Sequence, residues 1–455
     1  MKIIHRLALL NRIVIIKKIN KLVGLKKTDF DDYVNNGKII FSEARLIPIL
    51  KTGDEMALTS ILMSSIRLVK EFRNQIFSEL RIKKGGKAFF YTEVRFMDID
   101  EKSRLDGVIL IVVSGVIQDA VFIEVKNDTD IIEEEQIIKY YKLAQDLSNV
   151  PKILTISNEF VADSSHSPVT ISNQSKKISL YHFSWTYLKT LAQLLLYNND
   201  NNIEDEDQVE IMKEVIHYLN DTRSGVSSFS KMSGEWFDVA EAIKSQSDIT
   251  EEKLIKAITS WYQEESNMSL MLSRELGVLV KLDVENPKTK LIKDIKKLKT
   301  EYYLSTKLKV KGAVSEIKVT ADFQRRTISM SVNITPPLDG GVTSRITWIK
   351  KQLEKMKDQS FLEHLYIEAD IKFTKQSIKL KYADIDKFYE HKNKDIIEFN
   401  LDVIKSSDFR VTKFVTEIEG MLKTYYQVIV QDLKTWEKPA PKLQPKKEIK
   451  AEDNS

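Results

Sequence analysis

The sequence predicts an α/β protein in which a mixed sheet flanked by helices is followed by a separate α+β domain. Three observations carry this. Over residues 1–195 the apolar residues follow helical and strand periods in the order helix, three strands, helix, strand, helix. Over 305–382 they occupy every second position, as in Ile328, Met330, Val332 and Ile334. Between the two lies an Asn-rich, acidic stretch from Tyr197 to Asp207, which reads as a solvated connection.

With 455 residues the chain has room for two or three domains, and a 42% hydrophobic and 30% charged composition excludes a chain disordered throughout. The absence of cysteine excludes disulfides, thiolate zinc sites and a cysteine nucleophile. It suits a reducing compartment, and a cytoplasmic location is expected. The net charge of +4 conceals an asymmetry. Residues 1–30 hold Lys2, Arg6, Arg12, Lys17, Lys18, Lys21, Lys26 and Lys27 against Asp29, a net of +7, so the remainder carries 4 less 7, or −3. Bulk charge therefore gives no argument for nucleic-acid binding, which must rest on a local site or on the basic ends. Arg6, Arg12 and the Lys17-Lys18 pair interrupt the apolar residues, so neither an export signal nor a membrane span forms. Residues 1–42 read as a basic amphipathic segment. It can dock on its own protein, or meet nucleic acid or, through residues 3–25, a membrane surface.

Each element follows from local pattern. Thr52 to Leu80 places Leu58, Leu62, Val69, Phe72, Ile76 and Leu80 on one face after the Gly53-Asp54 start, predicting one long helix. Phe89 to Phe96, Gly107 to Val113 and Val116 to Lys126 are β-rich, with Ser114-Gly115 as a hairpin turn. Ile131 to Leu147 is helical, Pro151 to Ser157 is a buried strand, and another helix opens after Ser184. These elements make a domain over 43–197, with 198–208 as an acidic linker. Residues 209–300 form a helical region containing Val209 to Leu219, Glu235 to Lys244 and Glu251 to Tyr262. Residues 301–437 form the α+β domain, with helix Arg345 to Met356 anchored by Trp348 and a hairpin of Leu365 to Phe373 with Ser377 to Tyr382. The Pro- and Lys-rich residues 438–455 are a disordered tail.

Chemistry concentrates on the β hairpin. In Val121 to Lys126, strand alternation sends Val121, Ile123 and Val125 to one face and Phe122, Glu124 and Lys126 to the other. Taken alone, Glu124 and Lys126 make a salt bridge at a sheet rim. Asp106-Gly107 changes the reading. The turn at Ser114-Gly115 sets the start of one strand beside the end of the next, so that Asp106 and Glu124 can share a divalent cation. Oxygen ligands of this kind suit Mg²⁺, which takes one or two carboxylates plus substrate phosphate. Gln136 and Glu55 interrupt otherwise apolar helix stripes, where an unpaired polar group is costly, and both point to the same site. Glu93, on the preceding strand, is a further candidate.

These residues resemble the PD-(D/E)XK nuclease superfamily, whose core has a helix glutamate, an Asp, an (E/D)-x-K strand and a following helix with Gln and Tyr. The counterparts here are Glu55, Asp106, Glu124-Val125-Lys126, Gln136 and Tyr140, although Leu105 stands where the pattern has Pro. The resemblance covers about residues 43 to 195 and implies a restriction-endonuclease-like core. It also implies metal-dependent phosphodiester hydrolysis, with DNA as the expected substrate and RNA left open, in restriction, repair or defence against phage. Asp106, Glu124 and the Val125 carbonyl would hold Mg²⁺ or Mn²⁺, and Glu55 would complete a second metal site. Lys126 would orient or deprotonate water, or stabilise the pentacovalent phosphate, and Gln136 would position backbone or water. Tyr140 is expected to pack against the sheet. Lys83, Lys84, Lys87 and Arg95 could touch phosphates.

Two readings from other classes stand beside this one. The first is a non-catalytic nucleic-acid or protein scaffold on a nuclease-like fold. The second is a membrane-surface protein anchored by residues 3–25. The six His, among them His5, His166, His182 and His217, lack metal-ligand spacing, and Gly85-Gly86 and Gly340-Gly341 are turns without a phosphate-loop fingerprint. The C-terminal domain carries no chemical signature and is expected to serve targeting, oligomerisation or partner binding.

Overall fold

The computed structural model describes residues 21–48, 50–82, 85–148, 151–161, 167–169, 179–197, 203–283, 285–356, 358–374 and 376–437. Most of the N-terminal basic segment, residues Lys83 and Lys84, much of the 198–208 connection and the 438–455 tail lie outside them. The chain divides into one unit from Met1–Lys311 with Asp408–Glu419 and a second from Gly312–Ser407 with Gly420–Ser455. Each is mixed α and β in content.

The first unit is built on a six-stranded mixed sheet in the order β1 to β6. Its elements are α1 (Lys27–Asn35), β1 (Ile39–Glu43), α2 (Glu55–Leu68), α3 (Lys70–Glu79), β2 (Lys87–Phe96), β3 (Asp100–Val113), β4 (Val116–Val125), α4 (Glu134–Leu147), β5 (Lys152–Ser157), β6 (Ser179–Ser184) and α5 (Trp185–Tyr197). Strands β1 to β4 are antiparallel, and β5 and β6 join in parallel. Strands β1 and β6 extend the expected sheet at its two edges.

Both faces of the sheet are covered, which is why β4 is buried along most of its length. On one face Val121, Ile123 and Val125 join Leu58, Leu62 and Ile66 of α2 and Phe72 and Ile76 of α3. On the other, Ala120 and Phe122 join Ile137, Tyr140, Leu143 and Ala144 of α4. From Ala120 onward the odd and even residues of β4 therefore serve two separate cores.

The expected long helix is instead two helices. Val69, fully buried, adopts an extended conformation (φ −99, ψ 107) and ends α2. The break is tolerated because Lys70 N–H donates to the Gln208 side chain at 2.7 Å rather than to the preceding turn. Gln208 belongs to α6 (Glu206–Asn220), which starts inside the stretch read as a linker. Asp205 caps it by accepting from Gln208 N–H, and Met212, Val215 and Leu219 enter the core that holds α2. The domain boundary expected at 198–208 is thus displaced, since the first unit runs on to Lys311.

That unit continues with α7 (Gly234–Ser245), α8 (Glu251–Leu276), β7 (Lys281–Leu282), α9 (Pro287–Thr300) and β8 (Tyr303–Lys309). Helix α8 runs well past the expected Tyr262, to a cap at Gly277 in the left-handed region (φ 67).

In the second unit, β9 (Ile317–Asp322), β10 (Thr327–Ile334), β11 (Leu365–Ile371), β12 (Ser377–Lys381) and β13 (Ile396–Ser406) pair antiparallel in the order β12-β11-β13-β10-β9. Helix α10 (Val342–Leu353) buries Ile346, Ile349 and Leu353, while Trp348, expected as its anchor, is only partly buried. The guanidinium of buried Arg345 donates to Asp395 at 2.6 Å and to the carbonyls of Ile396, Leu338 and Gly340. Helix α11 (Val411–Val428) follows β13.

Gly107 marks a close approach of α2 to the sheet. A Cβ there would lie 3.3 Å from Ile123 Cβ and 3.4 Å from Met63 Cε. Gly107→Ala is expected to destabilise the protein by about 1–3 kcal/mol in urea unfolding. An unchanged midpoint would contradict this packing.

Candidate active site

The β3–β4 hairpin creates the site. Ser114 and Gly115 both have positive φ (50 and 77), the two-residue turn whose twist matches that of the strands. Val113 then pairs with Val116 and Val112 with Ile117, but Ile111 pairs with Asp119. Gln118 is thus the extra residue of a bulge, and the register beyond it is shifted by one. Gly107 pairs with Ile123 in this shifted register, so Asp106 lies opposite Glu124. Without the bulge Asp106 would face Ile123, a side chain of the opposite core.

The polar groups converge at this end of the hairpin. Asp106 is 9% exposed and Glu124 only 1%. Asp106 Oδ2 accepts the Val125 N–H at 2.8 Å. Glu124 Oε1 accepts the Gln136 amide and, at 2.7 Å, the Lys126 ammonium. Lys126 Nζ also lies 3.6 Å from Glu55 Oε2. Two buried oxygens, Glu124 Oε2 and Glu55 Oε1, have no hydrogen-bond donor. Helix α4 supplies both Gln136 and Tyr140 from one face, and the Tyr140 hydroxyl donates to the Arg104 carbonyl at 2.8 Å. Tyr140 is therefore more than packing, because it holds the strand two residues before Asp106.

The backbone around Lys126 is held on both sides. Its N–H donates to the Ile156 carbonyl at 2.7 Å, and its carbonyl accepts the Trp185 indole N–H at 2.8 Å. The next residue, buried Asn127, donates from its amide to the Gly53 carbonyl, just ahead of Glu55. Gly53 is left-handed (φ 83), and a Cβ there would collide with the Arg223 carbonyl. Gly225 (φ 74) likewise approaches Asn127, where a Cβ would stand 2.7 Å from Nδ2. The segment after α6 thus braces the site from the far side of the expected linker.

Burial dominates the electrostatics. It raises the Asp106 carboxyl to about 8, with the Glu124 charge adding to the effect and the Val125 N–H and Lys126 opposing it. Burial also raises Glu55, against the pull of Lys126. For Lys126 burial disfavours the charge, but the hydrogen bond to Glu124 and the charges of Glu124, Glu55 and Asp106 outweigh it, so its pKa is raised. Tyr140 is raised by burial and by the Glu124 and Asp106 charges.

The donors available to a cation are all oxygens, and buried Glu124 Oε2 lacks a partner, so the residues fit a hard divalent ion such as Mg²⁺ or Mn²⁺. The pair is a two-carboxylate arrangement. Among the described residues no group of three or more His, Cys, Asp or Glu is placed to hold a metal. Glu55 meets the cluster through Lys126, not beside Asp106.

Other expected residues fall elsewhere. Glu93 pairs with Arg104 at 2.7 Å and has a left-handed backbone (φ 55) that switches the facing of β2 between Tyr91 and Val94. Lys87 starts β2 opposite Val112, roughly 20 Å along β3 from Asp106 at about 3.3 Å per residue, so it is remote from the carboxylate pair. Arg95 is exposed beside β1; burial raises the Glu93 carboxyl, and the Arg104 and Arg95 charges only partly oppose it. Lys83 and Lys84 lie outside the described residues. His182 is a core residue, its ring nitrogens 2.9 Å from the Thr155 hydroxyl and from the Glu159 carbonyl.

A second set of buried ionisable groups, on α8, was not expected. Asn267 donates to Glu264 and to Glu419, and Lys290 pairs with Glu265. They form two separate groups that link α8 to neighbouring helices, although Glu264 Oε1 and Glu265 Oε1 are buried without a donor.

Comparison with protein-family models, with curated proteins and with solved structures gives no match.

The raised Asp106 pKa has a consequence for stability. The protonated carboxyl is favoured in the folded state, so its contribution is fully present below the unfolded pKa near 4 and is lost as pH rises through about 8. In a metal-free buffer Asp106→Asn is expected to match the parent near pH 4 and to exceed it increasingly toward pH 8, by roughly 2–4 °C in Tm for each kcal/mol. A difference in Tm independent of pH would contradict this account.

Proposed function

We propose that the chain is a metal-dependent nuclease that hydrolyses phosphodiester bonds in DNA, with the mixed sheet of the first unit serving as a restriction-endonuclease-like core. One observation carries the reading. Asp106 and Glu124 face each other across β3 and β4, with Lys126 and Gln136 on one oxygen of the buried Glu124 carboxylate and no nitrogen donor on the other. The order of elements supports it, since α2, the three antiparallel strands β2 to β4, α4 and the parallel strand β5 follow the sequence of that core.

In this reading Asp106, Glu124 and the Val125 carbonyl hold the cation. A bound Mg²⁺ or Mn²⁺ supplies polarisation of the scissile phosphate and a lowered pKa for its water. Gln136 orients Glu124 through its amide, and Tyr140 steadies the strand that carries Asp106. Lys126 is kept charged by its carboxylate neighbours, so it acts as a cation that stabilises negative charge on the phosphate rather than as the base. Glu55 positions the Lys126 ammonium from α2.

A second reading, a nucleic-acid or protein scaffold without catalysis, draws on one observation. Lys126 and Gln136 both engage a single oxygen of Glu124, and no third acidic or His group completes a metal cluster among the described residues.

Cleavage separates the two. Supercoiled plasmid, linear duplex, single-stranded DNA and RNA are incubated with the full chain and Mg²⁺ or Mn²⁺. Cutting of DNA is expected, abolished by EDTA and slowed roughly 10²-fold or more by Asp106→Asn and by Lys126→Met. Absence of cutting on every substrate would favour the scaffold.

A further inference from the structure

A second site lies on the other face of the same sheet. A cavity of about 660 Å³ opens where α2 ends, α3 ends and β2 begins. Its floor includes Phe90 and Ile111, both in the core that holds α2, whereas Asp106 stands on the α4 face. Ile111 is roughly 17 Å along β3 from Asp106 at about 3.3 Å per residue. The cavity is therefore separate from the carboxylate cluster.

Its lining is strongly one-signed. Arg67, Arg73 and Arg81 contribute three positive charges and none of the lining residues is acidic, while the Lys87 ammonium turns to the Phe89 ring on the opposite face, 5.1 Å from its centroid. Among the described residues no carboxylate pairs with Arg67 or Arg81. Arg73 is held in place by its own hydrogen bonds, from NH1 to the Arg67 carbonyl at 2.7 Å and to the Ile66 carbonyl at 3.5 Å. The carboxylate across the strand pair from Ile111, Asp119, is taken up by Lys152 at 2.6 Å, so the arginines keep like charges that repel one another and are more stable with an anion bound.

Arg81 adds an independent observation. It follows the end of α3 with a left-handed backbone (φ 51), in a cap closed by Ile82 N–H to the Phe77 carbonyl at 2.9 Å. Glycine is the ordinary residue at such a position, because a side chain costs stability there. The Lys152 ammonium donates to the Arg81 carbonyl at 3.2 Å and steadies this conformation. An arginine kept at a strained helix end, with its side chain in a basic cavity, points to use of the side chain.

The chemistry of the cavity narrows its ligand. Guanidinium groups match phosphate oxygens in pairs, and the half-buried Phe77 ring, backed by the core residue Phe90, offers an aromatic surface for a base. The size lies within the range of small-molecule sites. We propose that this cavity binds a nucleotide through its phosphates, either as a free nucleoside phosphate or as the phosphorylated end of a DNA strand. The proposal does not depend on the nuclease reading.

Calorimetric titration of the full chain in EDTA tests it with four probes: dATP, tripolyphosphate, and a short oligo-dT with either a 5′-phosphate or a 5′-hydroxyl. Saturable binding of dATP or of the 5′-phosphorylated strand is expected, tighter than that of tripolyphosphate or of the 5′-hydroxyl strand. The tighter of the two identifies the source. Arg81→Gly relieves the left-handed backbone, so it should keep or raise Tm while weakening binding at least tenfold, and exposed Arg67→Gln should weaken it without loss of fold. Asp106→Asn should bind as the parent does, so a failure here is distinct from a failure of the nuclease reading. Absence of binding, binding unchanged in both arginine variants, or tripolyphosphate binding as tight as dATP would each overturn the proposal.

Discussion

The arrangement depends on the register of β3 against β4, which a single extra residue sets. With Gln118 bulged out, the strand beyond it pairs one position later, and every side chain from Asp119 to Val125 is assigned to its face by that shift. Val121, Ile123 and Val125 then meet α2, Phe122 meets α4, and Glu124 comes opposite Asp106. The two hydrophobic cores and the carboxylate pair are consequences of one register. A slip of one residue would bury Glu124 under α2 and expose the site to Ile123.

The same register forces a buried pair of acids, and the surroundings show how the protein tolerates them. Each has at least one donor, the Val125 N–H for Asp106 and the Gln136 amide and Lys126 ammonium for Glu124. The compensation is incomplete, since no nitrogen donor reaches Glu124 Oε2; burial favours a proton on Asp106, and its hydrogen bond to Glu124 adds to this. Rigidity comes from neighbouring segments. Trp185 and Ile156 hold the Lys126 backbone, and Asn127 ties it to the turn that starts α2. A carboxylate pair short of positive charge and fixed by its backbone neighbours suits a cation.

Much of this was legible in the sequence because the site residues break the rules of their own elements. Glu124 interrupts a buried strand and Gln136 an apolar helix stripe, and such intrusions stand out where burial is expected. Other features left no local trace. Val69 continues the apolar stripe of α2, so nothing in the pattern marks the extended residue that ends the helix. The acidic run from Glu204 to Asp207 reads as solvated linker, yet acids are also what a helix start prefers, and Asp205 caps α6. Helix α8 runs beyond Tyr262 because the polar residues that follow are buried and bonded: Asn267 reaches Glu419 and Glu265 reaches Lys290 on other helices, while Ser266 bonds the Tyr262 carbonyl within its own. The bulge at Gln118 has no residue type that announces it, so the pairing of Asp106 with Glu124 was inferred from the turn without the step that makes it true.

In the proposed nuclease the Asp106 carboxyl, raised to about 8, holds a proton at pH 7 when no cation is present and exchanges it for a divalent ion. Calorimetric titration with Mn²⁺ at pH 7, in two buffers of different ionisation enthalpy, measures the protons released per ion bound. This account predicts binding with release of up to about one proton, both lost in Asp106→Asn. Absence of Mn²⁺ binding, or binding that persists unchanged in Asp106→Asn, would contradict it.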